Sequence, residues 1–116
     1  MDQDIIETRG VMALRRLYEL AIRDSGQCRY IAHFLLGLYN GSRFPFDLTE
    51  LRALDDNLFE DCMAVLRMDA RFTRKEIHEY LDDGGPRFER LARDWVSRIW
   101  SRCGRRPRDL PELQPE

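Results

Sequence analysis

Few side chains in this sequence have the type and spacing that chemistry needs. The only histidines are His33 and His78. A catalytic or metal-binding histidine is signalled by a partner at ligand spacing, such as H-x-x-x-H, H-E-x-x-H or a Cys–His pair four residues apart. No such pattern occurs, so both read as structural histidines. Asp55, Asp56, Glu60, Asp61 and Asp69 form an acidic cluster. On a helix Asp56 and Glu60 stack at i, i+4, while Asp61 turns away. A stacked carboxylate pair suits acid–base work or a hard cation. The bland explanation is a capped helix start and a solvated face, because a helix N-terminus favours negative charge. A hydrolase built on this cluster would need a metal ion.

The cysteines, Cys28, Cys62 and Cys103, are far apart and odd in number. They form no C-x-x-C pair, which argues against a zinc knuckle or a disulfide framework. Each falls at an apolar helix position and reads as a small buried hydrophobe. Cys103 is the best candidate for a reactive thiol, because arginines surround it. Gly84-Gly85-Pro86 precedes a helix without a G-K-[ST] or G-x-G-x-x-G context, so it reads as a turn. No G-x-S-x-G elbow is present. The sequence therefore predicts no catalytic residue, no metal and no cofactor.

Binding chemistry is better represented. Arginine outnumbers lysine 18 to one. Residues 1–85 carry a balance of -5, residues 86–108 a balance of +6, and residues 109–116 a balance of -3. The basic block is Arg87, Arg90, Arg93, Arg98, Arg102, Arg105, Arg106 and Arg108. On a helical wheel Arg87, Arg90 and Arg98 lie close together, roughly opposite Ala92 and Trp95, with Arg102 nearby. Such a stripe could follow a phosphate backbone. The pI of about 5.7 argues against a dedicated nucleic-acid binder. Pairing with nearby acids, such as Glu89 with Arg93, is the plainer expectation. Trp100 falls off the stripe of Trp95 and Ile99 and is a candidate for the surface with Tyr30, Phe44 and Phe46, although burial inside the fold is the default for any one of these aromatics. Aromatic and arginine side chains are the usual anchors of protein interfaces.

These residues must be positioned by helices. Apolar residues recur at three- and four-residue steps over 4–23, through Ile6, Gly10, Ala13, Leu14, Leu17, Leu20 and Ala21, which predicts an amphipathic helix. Asp24-Ser25-Gly26 breaks it, with Asp24 and Gln27 resembling a capping box. A second, strongly apolar helix spans 27–39 and stops at Asn40-Gly41. Ser42 to Phe46 form a loop. Asp47 caps a short helix, with Glu50 closing a box and Leu48, Leu51 and Leu54 pointing inward. A further helix runs from Asp55-Asp56 to about Arg71. Thr73 with Glu76 forms another box, opening a short helix to Leu81. The last helix begins at Pro86 and ends at Gly104. The tail beyond it contains three prolines and no periodicity, which predicts an extended or disordered segment. No run of β-branched residues predicts a strand.

The segment from Ile31-Ala-His-Phe-Leu-Leu-Gly-Leu-Tyr-Asn40, through Pro45-Phe-Asp-Leu-Thr-Glu-Leu51, to Asp55-Asp-Asn-Leu-Phe-Glu-Asp-Cys-Met-Ala-Val-Leu66 resembles a small uncharacterised bacterial domain family. Phe88-Glu-Arg-Leu-Ala-Arg-Asp-Trp95 is similar to its closing segment. The resemblance covers roughly residues 10–95. It implies a protein of phages, plasmids and integrative elements, and it transfers no functional residue.

Together these readings predict an all-α bundle of five or six helices, one domain over 1–104 and a tail over 105–116. The acidic N-terminus and the lack of a membrane-length apolar run suggest a cytoplasmic protein. The expected function is a non-enzymatic protein-binding accessory factor, monomeric or homodimeric. On the resemblance it would inhibit a host defence complex, such as one of CRISPR interference, by steric blockade. Its anchors would be Arg87, Arg90, Arg93, Arg98, Trp100, Arg102, Phe44 and Phe46, with Asp56 and Glu60 among the carboxylates. The alternative is a small DNA-binding regulator using the arginine-rich last helix.

Overall fold

The structure, a computed structural model, describes the backbone of residues 3–23, 26–71 and 74–103, and the side chains of these up to residue 97. The predicted periodicities become four α-helices: α1 (Gln3–Ala21), α2 (Gly26–Tyr39), α3 (Asp56–Leu66) and α4 (Gly84–Cys103). Two short 3-10 helices, Leu48–Ala53 and Ile77–Tyr80, occupy the connections. α1 packs on both α2 and α3, and α2 carries α4 on its other side. The core is the meeting of the predicted stripes. Leu14 and Leu17 of α1, Ile31 and Leu35 of α2, Val65 of α3 and Phe88 of α4 are all fully buried. Among the described residues no helix is long and apolar enough to cross a membrane.

Several helix boundaries have causes that differ from those expected. Asp24, the expected partner of Gln27 in a capping box, lies outside the described residues. Gln27 reaches across to Asp55 at the start of α3, donating to the carboxylate at 2.9 Å and accepting from the Asp55 amide at 2.6 Å. Asp47 does cap the first 3-10 helix, accepting from the Thr49 amide at 2.8 Å. Glu50, expected to close that box, instead meets His33. The helix read as running to Arg71 is α-helical only to Leu66, and residues Arg67–Arg71 continue as a π-helix. The second 3-10 helix is closed by a box of Glu76 and Glu79, and Thr73, the box partner expected for Glu76, lies outside the described residues.

Two glycines are fixed by close approach. A Cβ at Gly10 of α1 would lie 2.5 Å from Met68 Cβ on the π-helix. A Cβ at Gly84 would lie 1.6 Å from the His78 carbonyl oxygen. Gly84 therefore lets α4 start directly against the 3-10 helix. The turn before it places Asp83 at a φ of 52°, a left-handed conformation that Asp tolerates better than most residues. Pro86, expected first in the helix, comes two residues after its start.

Candidate partner-binding surface

The connection between α2 and α3 is fixed by two polar clamps. The first is His33. Its Nδ1 lies 3.0 Å from Glu50 Oε1, and its Nε2 lies 2.8 Å from the Pro45 carbonyl oxygen. The ring is flanked by Phe46, edge-on with centroids 5.1 Å apart, and by Trp95 at 4.7 Å. An imidazole with an acceptor at each nitrogen can donate to both when it carries two protons. Both ring nitrogens are thus engaged within the fold. His33 fastens the loop and the first 3-10 helix onto α2.

The second clamp joins the loop to α4. Arg43 donates to Glu89 through two nitrogens, at 2.7 and 3.2 Å, and the Tyr39 hydroxyl donates to the same carboxylate. The Arg43 guanidinium holds the Glu89 carboxyl below its ordinary range. The same bonds push the Arg43 pKa up. Burial, reinforced by Glu89, pushes the Tyr39 hydroxyl up to about 12. Arg43 also lies over the Phe44 ring, 5.0 Å from its centroid. Such a fork-to-fork pair fixes orientation as well as charge.

Phe44 lies beneath these clamps and is fully buried, edge-on to Trp95. This removes Phe44 from the candidate anchors and leaves it with the default for such an aromatic, burial in the fold. The turn at Asn40, which accepts from the Arg43 amide and carries the Phe44 amide on its own carbonyl, tucks the ring inward. Phe46 is half-buried against His33 and Phe34. Tyr30 is exposed, one helical turn before those two residues. Leu48 departs most from expectation. Predicted to point inward, it is 73% exposed, because the six-residue 3-10 helix lies along α2 with its first residue outward. Leu51 and Leu54 are half-buried as its inner side. Tyr30 and Leu48 are thus exposed, and Phe46 half-exposed, on elements that the clamps hold together.

The remaining predicted anchors do not gather into one site. Arg87 lies over the Tyr18 ring at 4.4 Å and donates to the Asp82 carbonyl at 3.3 Å, so the fold itself uses it. Arg90 and Arg93 are exposed. Arg90 shares its groove with Glu19 and Asp94, and Glu89 takes Arg43 rather than Arg93 as its bonded partner. The side chains of Arg98, Trp100, Arg102 and Cys103 lie outside the described residues. Asp56 and Glu60 are exposed on α3, whereas Asp61 accepts from Arg16 of α1 at 2.8 and 3.1 Å. Among the described residues no group of three or more His, Cys, Asp and Glu side chains is placed to hold a metal ion. Cys28 and Cys62 are buried. Burial raises the Cys62 thiol to about 12, which keeps it in its unreactive form.

Sequence reasoning missed Arg43, the His33–Glu50 pair and the exposure of Leu48. It also missed a cleft of about 220 Å³ between α1 and α3, lined by Ile6, Arg9, Glu60, Met63, Ala64 and Arg67. Periodicity could not have found these, since each depends on residues distant in sequence. Neither curated proteins nor solved structures provide a match to this chain. Residues 11–96, close to the span of the resemblance noted above, match a family that has no assigned function, and the chain accordingly belongs to the family of unknown function DUF7673.

Proposed function

We propose that this protein is a non-enzymatic binding factor that presents Tyr30, Phe46 and Leu48 to a protein partner. The observation carrying this reading is Leu48, a large apolar side chain 73% exposed on the short 3-10 helix that the His33–Glu50 pair fastens to α2. Isolated exposed leucines are ordinary on protein surfaces. This one stands on a loop held by two charge-assisted clamps, which lowers the entropy lost on binding. The arginines of α4 support a phosphate-tracking role less well, because Arg87 is engaged within the fold and carboxylates share the groove of Arg90. The resemblance to mobile-element proteins suggests the finer reading, an inhibitor that covers a site on a host defence complex such as one of CRISPR interference.

The test is a pull-down of the tagged chain from its native host, with and without nuclease, read by mass spectrometry. The expected result is a stoichiometric protein that survives nuclease and is lost from Leu48→Asp at unchanged melting temperature. Capture that disappears with nuclease, or that Leu48→Asp leaves intact, would remove this reading. Loss on nuclease would favour the DNA-binding regulator instead, to be tested by Arg90→Glu, Arg93→Glu and Arg98→Glu.

A further inference from the structure

The cleft between α1 and α3 is lined by none of Tyr30, Phe46 and Leu48. Its floor is Ile6, Met63 and Ala64, and its rim is Arg9, Arg67 and Glu60. Other arginines around it have carboxylates: Arg16 holds Asp61, and Arg74 holds Glu7 and Asp4. The side chains of Arg9 and Arg67 make no hydrogen bond or ion pair with a described residue. They come from different helices and converge on one apolar floor. The chemistry they select is a pair of carboxylates carried on an apolar segment. This sequence contains such a segment. Asp109-Leu110-Pro111-Glu112-Leu113 has two acids three residues apart and two leucines three residues apart. Its balance is negative, and that of the cleft rim is positive.

Chain length decides which molecule supplies the segment. α4 runs beside α1 in the same sense, since Leu81 and Asp82 lie by Arg15 while Leu91 and Asp94 lie by Ile22. The cleft is at the opposite end of α1, around Ile6 and Arg9. Ile22 to Ile6 spans about 24 Å along the helix, and Asp94 to Cys103 adds about 13 Å in the other direction. Leu110, seven residues past Cys103, reaches at most about 25 Å from it. The gap exceeds the reach. We infer that the segment 109–113 docks in the α1–α3 cleft of a second copy of this chain, its leucines on Ile6 and Met63 and its acids on Arg9 and Arg67. This self-association is independent of the partner reading above.

The test uses the full chain with Leu110→p-benzoylphenylalanine, irradiated over a range of protein concentrations. Benzophenone abstracts hydrogen readily from methionine, and Met63 is in the cleft. The expected result is a dimer-sized product whose cross-link maps to the Met63 region and whose yield rises with concentration. Arg9→Glu together with Arg67→Glu should cut that yield at least tenfold. Asp109→Lys together with Glu112→Lys should do the same from the other side, guarding against a folding defect in either variant. Yield retained in either variant, a cross-link mapped elsewhere, no product, or a monomer-sized product would overturn the proposal. The last of these would assign the segment to its own chain.

Discussion

The molecule contains two forked Arg–carboxylate pairs of nearly the same geometry, one on each side of the bundle. Arg16–Asp61 ties α1 to α3 at 2.8 Å, and Arg43–Glu89 ties the α2–α3 connection to α4 at 2.7 Å. They differ in how far the arginine is enclosed, the two carboxylates being about equally covered. The Arg16 side chain is 56% exposed and that of Arg43 only 18%. The Glu89 carboxylate also accepts from Tyr39, whereas Asp61 accepts twice from Arg16. An exposed pair gains little over the water it displaces. A half-enclosed pair leaves an expensive group behind when one member is lost. The α2–α4 side is therefore where charge enforces shape, and the α1–α3 side is where arginines stand open at a cleft.

The strongest way to break the α2–α4 side is through its backbone. A methyl group at Gly84 would overlap the His78 carbonyl, and no side-chain rearrangement relieves a 1.6 Å approach. Gly84→Ala should destabilise by about 4 kcal/mol or more, among the large effects of single substitutions. Gly10→Ala on the other side meets the Met68 side chain at 2.5 Å, and overpacking of that kind should cost about 2 kcal/mol. Urea denaturation of both variants checks the order. Equal losses would show that the α4 start yields as easily as the π-helix does.

Next comes the enclosed clamp. Glu89→Gln leaves the Arg43 guanidinium without its counter-charge and should cost about 2 kcal/mol. Its pH dependence has a definite sign. Arg43 lowers the folded-state pKa of Glu89, so the contribution is present above the ordinary carboxylate range and is lost as pH falls through the folded value. Asp69 works in the opposite sense, since burial raises its pKa and its ionisation opposes folding near neutrality. Acid titration of stability should therefore be shallower in Glu89→Gln than in the parent. At high pH the clamp fails from its other member. Tyr39 is raised to about 12, so its contribution is complete below its ordinary value of about 10 and disappears between about 10 and 12. Tyr39→Phe should reduce that loss, leaving the shares of Tyr80 and of the Cys62 thiol, both raised by burial in the same direction.

How far the sequence foretold this contrast depends on separation along the chain. The stripes of α1, α2 and α4 were legible because core residues recur within one helix, and Leu14, Leu35 and Leu91 are buried as their periods require. The clamps were not, because Arg43 and Glu89 are 46 residues apart while a wheel sees only the i, i+4 neighbour Arg93. Phe44 could not be decided from its local sequence. A ring next to a proline in a polar loop can face either way, and the Asn40 turn reverses the chain and buries it. Leu48 misled outright. Its three-residue spacing to Leu51 and Leu54 matches a 3-10 turn, but so short an element presses only part of its apolar side onto α2.

The smallest expected effect is on the open side. Asp61→Asn removes the charge opposite Arg16 while leaving a side chain of the same shape that can still accept a hydrogen bond. The guanidinium it releases is already half in water, so no buried charge is stranded and the loss should be about 0.5 kcal/mol. Raising the salt concentration should shrink that difference further, since exposed charges are screened, while the cost of Glu89→Gln should hardly change. Denaturation of both variants at low and high salt measures this directly. If Asp61→Asn proved as costly as Glu89→Gln and equally insensitive to salt, enclosure would not be what separates the two pairs. The α1–α3 side would then be as firmly clamped as its counterpart.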